Sequence, residues 1–545
     1  MDALHIRRLH NRYRLRGDMP SAQMRARLDR VLRTVLEEGL EGTLARLDLD
    51  RDEHLCIRRV HARLRLAARR SDTALALDWS LGLSDAIASA LRAGGSQVVR
   101  YRSRRHALLD FACGVAAGDH ARAWAWSQVG FGPVQRLISD AGVDALVQAL
   151  AADGSAVVSL LSALERTGRL PALARRFSAA QFEALAHAAL DASGVAVSVL
   201  EPPTPPSAAA SARVARLVAN ALARSPLMLL AHAPQAMHAE AVHAVAVLAL
   251  LAGEPYVLRG AGAAATEVIG VAVQALRDMA ERGRGDIAAS RRSTRTDDRR
   301  PIRTRRGVAT REVGAAGEAD VIDAADAARA GDAFHPARAA MRAGEPARTE
   351  LGPRGGARDA FDMRPAPGEP DDAALPDARR IGGTRWGGLL FLLWLVDRLR
   401  IPDAACAEAA LSQRSLRWVL HAIALALVQS PADDPAALAF AGLMPDAVPP
   451  DAQEAPAGVE EQALIGGYAD RIVDALRGCL QEPVEDRGRL LQRVCTRRAR
   501  IAAEPGWIEV RLQSDEVSTA IRRCGLDLDL DYLPWLGAVV KFVYE

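Results

Sequence analysis

The sequence predicts a mainly α-helical protein with small α+β modules at both ends and a long disordered linker between its domains. Half of the 545 residues are hydrophobic but only 4% are aromatic. Ala and Leu dominate the apolar share, which favours helices packed through small side chains. Short stretches near both ends alternate apolar and charged residues, as strands with one buried face do. A chain of this length is also expected to form several domains.

Residues 1–70 are predicted to form a strand–helix–strand module, because they contain an internal repeat. Residues 6–15 recur at 57–66 with seven of ten positions identical. In the second copy apolar residues alternate with Arg and His, which predicts a strand. Apolar residues recur at helical spacing over 28–40, and Ser21 is predicted to cap that helix. Such a module is expected to dock onto a copy of itself or onto a partner.

The Arg and His side chains of the two predicted strands leave two interpretations open. They form a basic binding surface, or they only keep an exposed sheet face hydrated and protect its edge from other chains. The formal net charge of the whole chain is +3. A charge of this size does not by itself imply a nucleic-acid or membrane partner.

The next part of the chain is predicted to be helical. Residues 71–200 are expected to form a helical array, in which Ser71 or Asp72 caps the first helix and another helix runs from Arg105 past Trp126. A Pro-rich connector at 201–210 is expected to be stiff and extended. A further helical segment is predicted for 211–281, which is again rich in Ala.

Residues 282–380 are predicted to be a disordered linker. Arg, Asp, Gly, Pro and Ala dominate this segment, and such a chain buries too little apolar surface to offset its conformational entropy. The first third of the segment is basic enough to contact nucleic acid. Its interleaved acidic residues and its lack of aromatic residues favour a plain linker.

Residues 381–545 are predicted to form a helical domain that ends in a strand–helix–strand pattern. The run 386–396 is unbroken apolar or Gly, and it is well short of the roughly 20 residues that cross a membrane, so a buried helix is expected. Residues 507–512 and 539–544 are predicted strands. A short helix capped by Ser514 is expected between them.

No residue set carries a signature of catalysis, cofactor binding or metal binding, so the sequence predicts no enzyme activity, no site residues and no cofactor. Three histidines lack the spacing of four that places two metal ligands on one helix face. They are His232, His238 and His243. Trp124 and Trp126 are two apart, so on a helix they cannot form one stacking platform, and core packing is expected.

Two further patterns fail on their detail. Residues 260–265 form a degenerate dinucleotide fingerprint without the second strand and terminal acid that this motif needs. Two alternating acidic runs lack the Gly and Glu that a calcium-binding EF-hand loop needs at its sixth and twelfth positions. They are Asp48, Asp50 and Asp52, and Asp527, Asp529 and Asp531.

The cysteines predict the compartment. The six cysteines are scattered without a Cys-x-x-Cys pair, a pattern that argues against a disulfide or zinc framework. The N-terminus is basic but lacks the apolar region of a secretory signal. The sequence therefore predicts reduced thiols and a cytoplasmic protein.

Three features together resemble the tape-measure-like proteins encoded with the extracellular contractile injection systems of bacteria, which are phage-tail-like particles. They are the start of the second repeat copy at 55–60, the apolar helix at 388–396 after a long linker, and the segment 533–536 before the last strand. The resemblance implies a non-enzymatic assembly component that helps to set tube and sheath length and is incorporated in the particle. Its implied partners are tube, sheath or baseplate proteins, with no small-molecule substrate and no membrane span.

The length expected of a ruler conflicts with the compact domains that the sequence predicts. A ruler of continuous helix would span about 1.5 Å per residue, or roughly 800 Å for this chain. The Pro and Gly breaks instead predict compact domains on a flexible tether. The chain is then either extended inside the tube during assembly, or folded as an accessory at the baseplate or cap. One rival hypothesis is an Arg-rich nucleic-acid-binding or regulatory protein, whose binding would fall steeply with salt. The other is an enzyme whose site is assembled across helices, although no catalytic residue set in the sequence supports it.

Overall fold

The computed structural model describes residues 6, 9–14, 21–36, 52–67, 69–195, 211–232, 241–261, 265–297, 375–452, 454–481 and 486–545. Residues 1–289 and 372–545 belong to one compact unit, and 290–371 to a second, of which only the backbone of 290–297 is described. The predicted connector at 201–210 and most of the predicted linker lie outside the described residues. The domain boundaries drawn from the sequence stay predictions.

The predicted fold class is confirmed, since the chain is mainly α with small α+β modules. The described α-helices are α1 (Ser21–Thr34), α2 (Asp72–Ala93), α3 (Arg104–Ala117), α4 (Ala123–Val129), α5 (Val134–Leu137), α6 (Gly142–Ala152), α7 (Ser155–Arg166), α8 (Leu170–Ala174), α9 (Ala179–Ala192), α10 (Ser211–Arg224), α11 (Val242–Gly253), α12 (Val257–Ala261), α13 (Ala265–Asp297), α14 (Leu393–Arg398), α15 (Ile401–Ala407), α16 (Leu416–Leu427), α17 (Pro435–Phe440), α18 (Val459–Leu480), α19 (Arg487–Cys495) and α20 (Thr519–Arg523). The described strands are β1 (His54–Ile57), β2 (Val98–Tyr101), β3 (Arg380–Thr384), β4 (Ala499–Glu504), β5 (Trp507–Leu512), β6 (Leu530–Leu533) and β7 (Ala538–Tyr544).

Helices α3 to α13, together with β1 and β2, enclose what we call the first core. Helix α11 lies at its centre and is buried on nearly all sides, as expected of a helix that is apolar all round. Several helices begin at a Ser whose hydroxyl accepts a backbone N–H of the first turn, which satisfies a donor that the helix itself cannot pair. These caps include the predicted Ser71, and also Ser103, Ser178 and Ser415.

The second core lies between helices α14 to α20 and a five-stranded sheet. The strand order is β3-β4-β5-β7-β6, and β5 pairs with β7 in parallel while the other neighbours are antiparallel. The strands predicted at 507–512 and 539–544 are confirmed, and helix α20 lies between them. The predicted capping role of Ser514 is wrong, because Ser514 lies in a 3-10 helix (Ser514–Glu516) and α20 begins after Ser518. The apolar run at 386–396 is confirmed as buried, but it begins as a 3-10 helix (Gly387–Leu392) before α14 continues it.

A third, small cluster forms where α1 packs against α2, and we call it the N-terminal cluster. Among the described helices, α2 alone has the length and apolar composition that would allow it to cross a membrane. Trp79 and Leu75 of α2 are buried in the cluster, whereas Leu77 and Leu81 are 61% and 45% exposed. Helix α1 begins at Ser21, but the side chain of Ser21 is not among those that the structure describes, so its predicted capping role stays a prediction.

The two strands predicted for the repeat are wrong. Residues 9–14 of the first copy form no strand, and β1 overlaps the second copy only at Ile57. The physical reason is the length of the partner strand, because β2 has four residues that pair with the four of β1. The backbone N–H of Arg58 donates to the Gln97 carbonyl at 2.8 Å, and the ladder ends there.

The single helix predicted from Arg105 past Trp126 is also wrong, because it is broken into α3 and α4. Gly118 adopts a left-handed backbone with φ of 70°, a conformation that ends helices and that Gly reaches without steric cost. Trp126 of α4 then folds back onto α3, where its ring lies 5.2 Å from that of Phe111. The break therefore brings an indole into the first core.

Asp110 of α3 is buried and organises this fold-back. Its carboxylate accepts hydrogen bonds from the Tyr101 hydroxyl at 2.8 Å, from the Trp126 indole N–H at 2.7 Å and from Arg122 at 2.5 Å. Three donors offset the cost of burying a charge. The carboxylate thus ties β2, α3 and α4 together at one point.

We expect Asp110→Ala to lower the free energy of unfolding by about 3–5 kcal/mol, because it leaves the Tyr101 hydroxyl and the Trp126 indole buried without their acceptor. Urea unfolding followed by tryptophan fluorescence measures the change. Asp85→Ala, at an exposed position of α2, is the matched control and should change stability by less than about 0.5 kcal/mol. Equal effects of the two variants would contradict the role given to Asp110.

Candidate functional site

A cavity lies where the first core meets the second. Its volume is about 350 Å³. Ser155, Ser159 and Arg166 of α7 line one side, and the turn between β4 and β5 lines the other. We call the contacts between the two cores around this cavity the seam. Because the seam joins residues about 400 positions apart, it is a product of tertiary folding and not of any local motif.

The turn between β4 and β5 docks into the first core. Arg105 of α3 donates from Nη1 to the Gly506 carbonyl and from Nη2 to Ser155 Oγ, both at 2.8 Å. Ser155 in turn donates to Asp153 Oδ1 at 2.6 Å. The Ser155 hydroxyl is therefore fixed as a bridge between a guanidinium and a carboxylate.

Arg102 extends the seam beside this turn. Its Nη2 lies 2.9 Å from Asp377 Oδ1 and 3.3 Å from Glu504 Oε2. Burial raises the pKa of the Glu504 carboxyl, and Arg102 opposes that rise. One guanidinium thus binds two acidic residues, of which Asp377 lies near the end of the predicted linker and Glu504 lies in β4.

A buried ionic network closes the opposite side of the seam. Arg224, the last residue of α10, pairs with Glu454, which also accepts a hydrogen bond from Ser415 Oγ at 2.9 Å. Arg414 holds Glu461 through two hydrogen bonds of 2.7 and 2.8 Å and lies over the ring of Trp418 at 4.1 Å. Bidentate geometry and stacking are the contacts that guanidinium makes best.

Glu254 follows α11 directly and lies close enough to this network to feel the charges of Arg224 and Arg417. Its side chain is 6% exposed, and burial raises the pKa of its carboxyl, while Arg417 and Arg224 oppose that rise. Burial lowers the pKa of the Arg417 guanidinium, which Glu254 opposes in turn. Both carboxylate oxygens of Glu254 and Nε of Arg417 lack a hydrogen-bond partner among the described residues, so these two groups act on each other through their charges and not through a hydrogen bond.

His106 of α3 makes a further contact across the seam. Its Nε2 lies 3.1 Å from the Pro376 carbonyl oxygen, and its Nδ1 accepts the backbone N–H of Arg102 at 3.3 Å. Burial and the nearby Arg102 charge lower the pKa of His106 to about 4, although Asp377 and Asp110 oppose them. The imidazole is therefore neutral at pH 7, with its proton on Nε2.

The chemistry of the seam is that of a structural joint. Several of its charged groups are paired across the two cores, as Arg166 is with Asp446 at 2.9 Å and Arg224 is with Glu454. Among the described residues, no group of three or more His, Cys, Asp or Glu side chains is placed to hold a metal ion. The geometry holds the two cores together and leaves a small cavity between them.

The residues considered from the sequence lie apart from the seam cavity. His243 is near the start of α11, where burial lowers its pKa, His232 ends a 3-10 helix, and His238 lies outside the described residues. Residue 260 is within the short helix α12, so the segment before it is not the strand of a dinucleotide fold. Trp126 packs in the first core, and Trp124 packs against it.

The alternating acids are bound by neighbouring groups. Asp527 accepts hydrogen bonds from the Tyr544 hydroxyl at 2.8 Å and from Arg522 at 3.1 Å, and Asp529 accepts the Phe542 N–H at 3.0 Å. Asp48 and Asp50 lie outside the described residues. No sequence signal pointed to the seam residues, except that Pro505 and Gly506 form a typical turn pair.

No protein-family model, no curated protein and no solved structure matches this chain.

We expect Gly506→Ala to lower the free energy of unfolding by about 2–4 kcal/mol. Gly506 has φ of 77°, and a Cβ there would collide with the Ser159 side chain and lie 2.7 Å from Arg105 Nη1. Thermal unfolding measures the loss. Gly467→Ala is the matched control, because a Cβ there meets nothing within 4 Å, and it should leave stability unchanged or raise it by up to about 1 kcal/mol. A neutral Gly506→Ala variant would contradict the docked turn.

We expect the free energy of unfolding to decrease as pH is lowered, because His106 is buried in its neutral form. Because the folded pKa is lowered from 6.5 to about 4, the neutral imidazole contributes fully above pH 6.5, and this contribution is lost as pH falls towards 4. The loss amounts to about 3 kcal/mol. Urea unfolding between pH 7.5 and 4.5 should show a smaller loss of stability for His106→Gln than for the wild type. The exposed His10→Gln variant should follow the wild-type profile, and parallel profiles for all three would contradict the assignment.

Proposed function

We propose that this chain is a non-enzymatic structural or assembly component of a contractile injection particle, and that it acts as a folded accessory. Its partners would be proteins of the tube, sheath or baseplate, met in the cytoplasm where the particle assembles. The assignment to a contractile injection particle rests on the sequence resemblance. The choice of a folded accessory over an extended ruler rests on the seam.

One observation supports that choice. Residues 1–289 and 372–545 pack into one compact unit, and the seam pairs charged groups across the two cores, as Arg224 is paired with Glu454 and Arg166 with Asp446. Extending the chain would separate these charges and expose both cores. The longest described helix, α13, has 33 residues, or about 50 Å, which is far below the length that a ruler of continuous helix needs.

A deletion that shortens the linker distinguishes a folded accessory from an extended ruler. We expect removal of the whole gene to abolish the particles or deform them, whereas a chain lacking residues 301–360 should restore particles of normal length. A ruler would instead give tubes shorter by about 90 Å, at about 1.5 Å per residue. Electron microscopy of negatively stained particles measures the length, and immunoblotting confirms equal amounts of both chains. Normal particles without the gene would overturn the proposal. Tubes shortened by the deletion would contradict the accessory role and indicate that the chain acts as a ruler.

A further inference from the structure

We propose that residues 58–66, the second copy of the repeat after its first residue, form a docking strand. It would add a strand of a partner protein to its free backbone edge, and that partner strand would alternate acidic and apolar residues. Such a site goes beyond the proposed role in a particle and does not require it. Its evidence lies in the backbone, in the two faces of the segment and in its charge.

The backbone of the segment is unused. Apart from the Arg58 N–H, residues 58–66 make no backbone hydrogen bond within the part of the chain that the structure describes. The segment continues directly from β1 but runs past the end of β2. An exposed row of unpaired N–H and C=O groups is a template on which another strand can pair.

One face of the segment is anchored. Leu64 and Leu66 pack against the N-terminal cluster, and Leu64 touches α2 so closely that a Cβ at Gly82 would collide with it. The alternate residue Val60 is 37% exposed. The apolar face therefore fixes the far end of the segment on α2, while Val60 is available to an apolar side chain of a partner.

The opposite face is basic and without partners. Arg59, His61, Arg63 and Arg65 alternate with the apolar residues and are all exposed. Within the described chain, none of these three arginines has an ion pair, unlike most arginines of the seam. A strand that pairs with this segment would place every second side chain beside this row. Cross-strand pairs of opposite charge stabilise a sheet, and like charges oppose it.

This charge decides between partners. Two copies of the repeat would align Arg with Arg, so pairing with a second copy of this chain is disfavoured. Nucleic acid would use the guanidinium groups but not the unpaired backbone or the apolar face, and residues 58–66 contain no Phe, Tyr or Trp on which a base could stack. An acidic and apolar protein strand uses all three features.

Peptide binding to the full-length chain tests the proposal. The probe is a fluorescein-labelled nine-residue peptide that alternates Glu with Val and Thr, measured by fluorescence anisotropy. We expect it to bind, and we expect the same peptide with N-methyl groups on alternate backbone amides to bind at least about tenfold more weakly, because methylation removes the edge hydrogen bonds and keeps the charge. Equal binding of the two peptides would overturn strand addition.

Variants of the chain supply the matched controls. Ala62→Pro removes a backbone donor at an exposed position without changing charge, and Arg63→Glu reverses one charge of the row; each should weaken peptide binding about tenfold or more. Arg175→Glu, at an exposed position outside the segment, should bind as the wild type does. Unchanged thermal unfolding shows that the variants are folded. Absence of peptide binding, or tighter binding of a 20-nucleotide single-stranded DNA than of the peptide, would contradict the proposal.

Discussion

Compensation of buried charge between two distant parts of the chain is the constraint on which this structure depends. Arg224 ends α10 of the first core, and its guanidinium pairs with Glu454 of the second core, whose side chain is only 9% exposed. Because an unpaired buried charge is very costly, neither core is complete alone at this surface. The long linker between them adds little to the cost of closure, since each doubling of a loop adds only about 0.6 kcal/mol.

Arginine suits this joint better than lysine would. Arg105 donates from two different nitrogens, one to a backbone carbonyl and the other to a Ser hydroxyl. Arg102 contacts two carboxylates with a single nitrogen. A planar guanidinium presents several donors in fixed directions, whereas an ammonium is a compact and strongly hydrated charge. The chain contains a single lysine, Lys541, so the basic partners in its ion pairs are almost all guanidinium groups.

Local sequence patterns predicted local structure well. The Ser71 cap, the helical array, the buried run at 386–396 and the two strands around α20 depend on residues that are close in sequence. The repeat failed because alternation shows which face of a strand is buried but not whether a partner strand is long enough to pair with it. The seam was invisible for a related reason, since Arg105 and Gly506 are 401 residues apart. Only contacts formed by the complete fold reveal them as partners.

The discontinuity of the compact unit has a consequence for the integrity of the chain. Its two parts, 1–289 and 372–545, are held by burial and paired charges, so the peptide bonds of the intervening segment are not what keeps them together. Cleavage there would yield a nicked protein whose two fragments migrate as one species until a denaturant separates them. For the same reason a reporter domain could be inserted into this segment without separating the two parts of the compact unit.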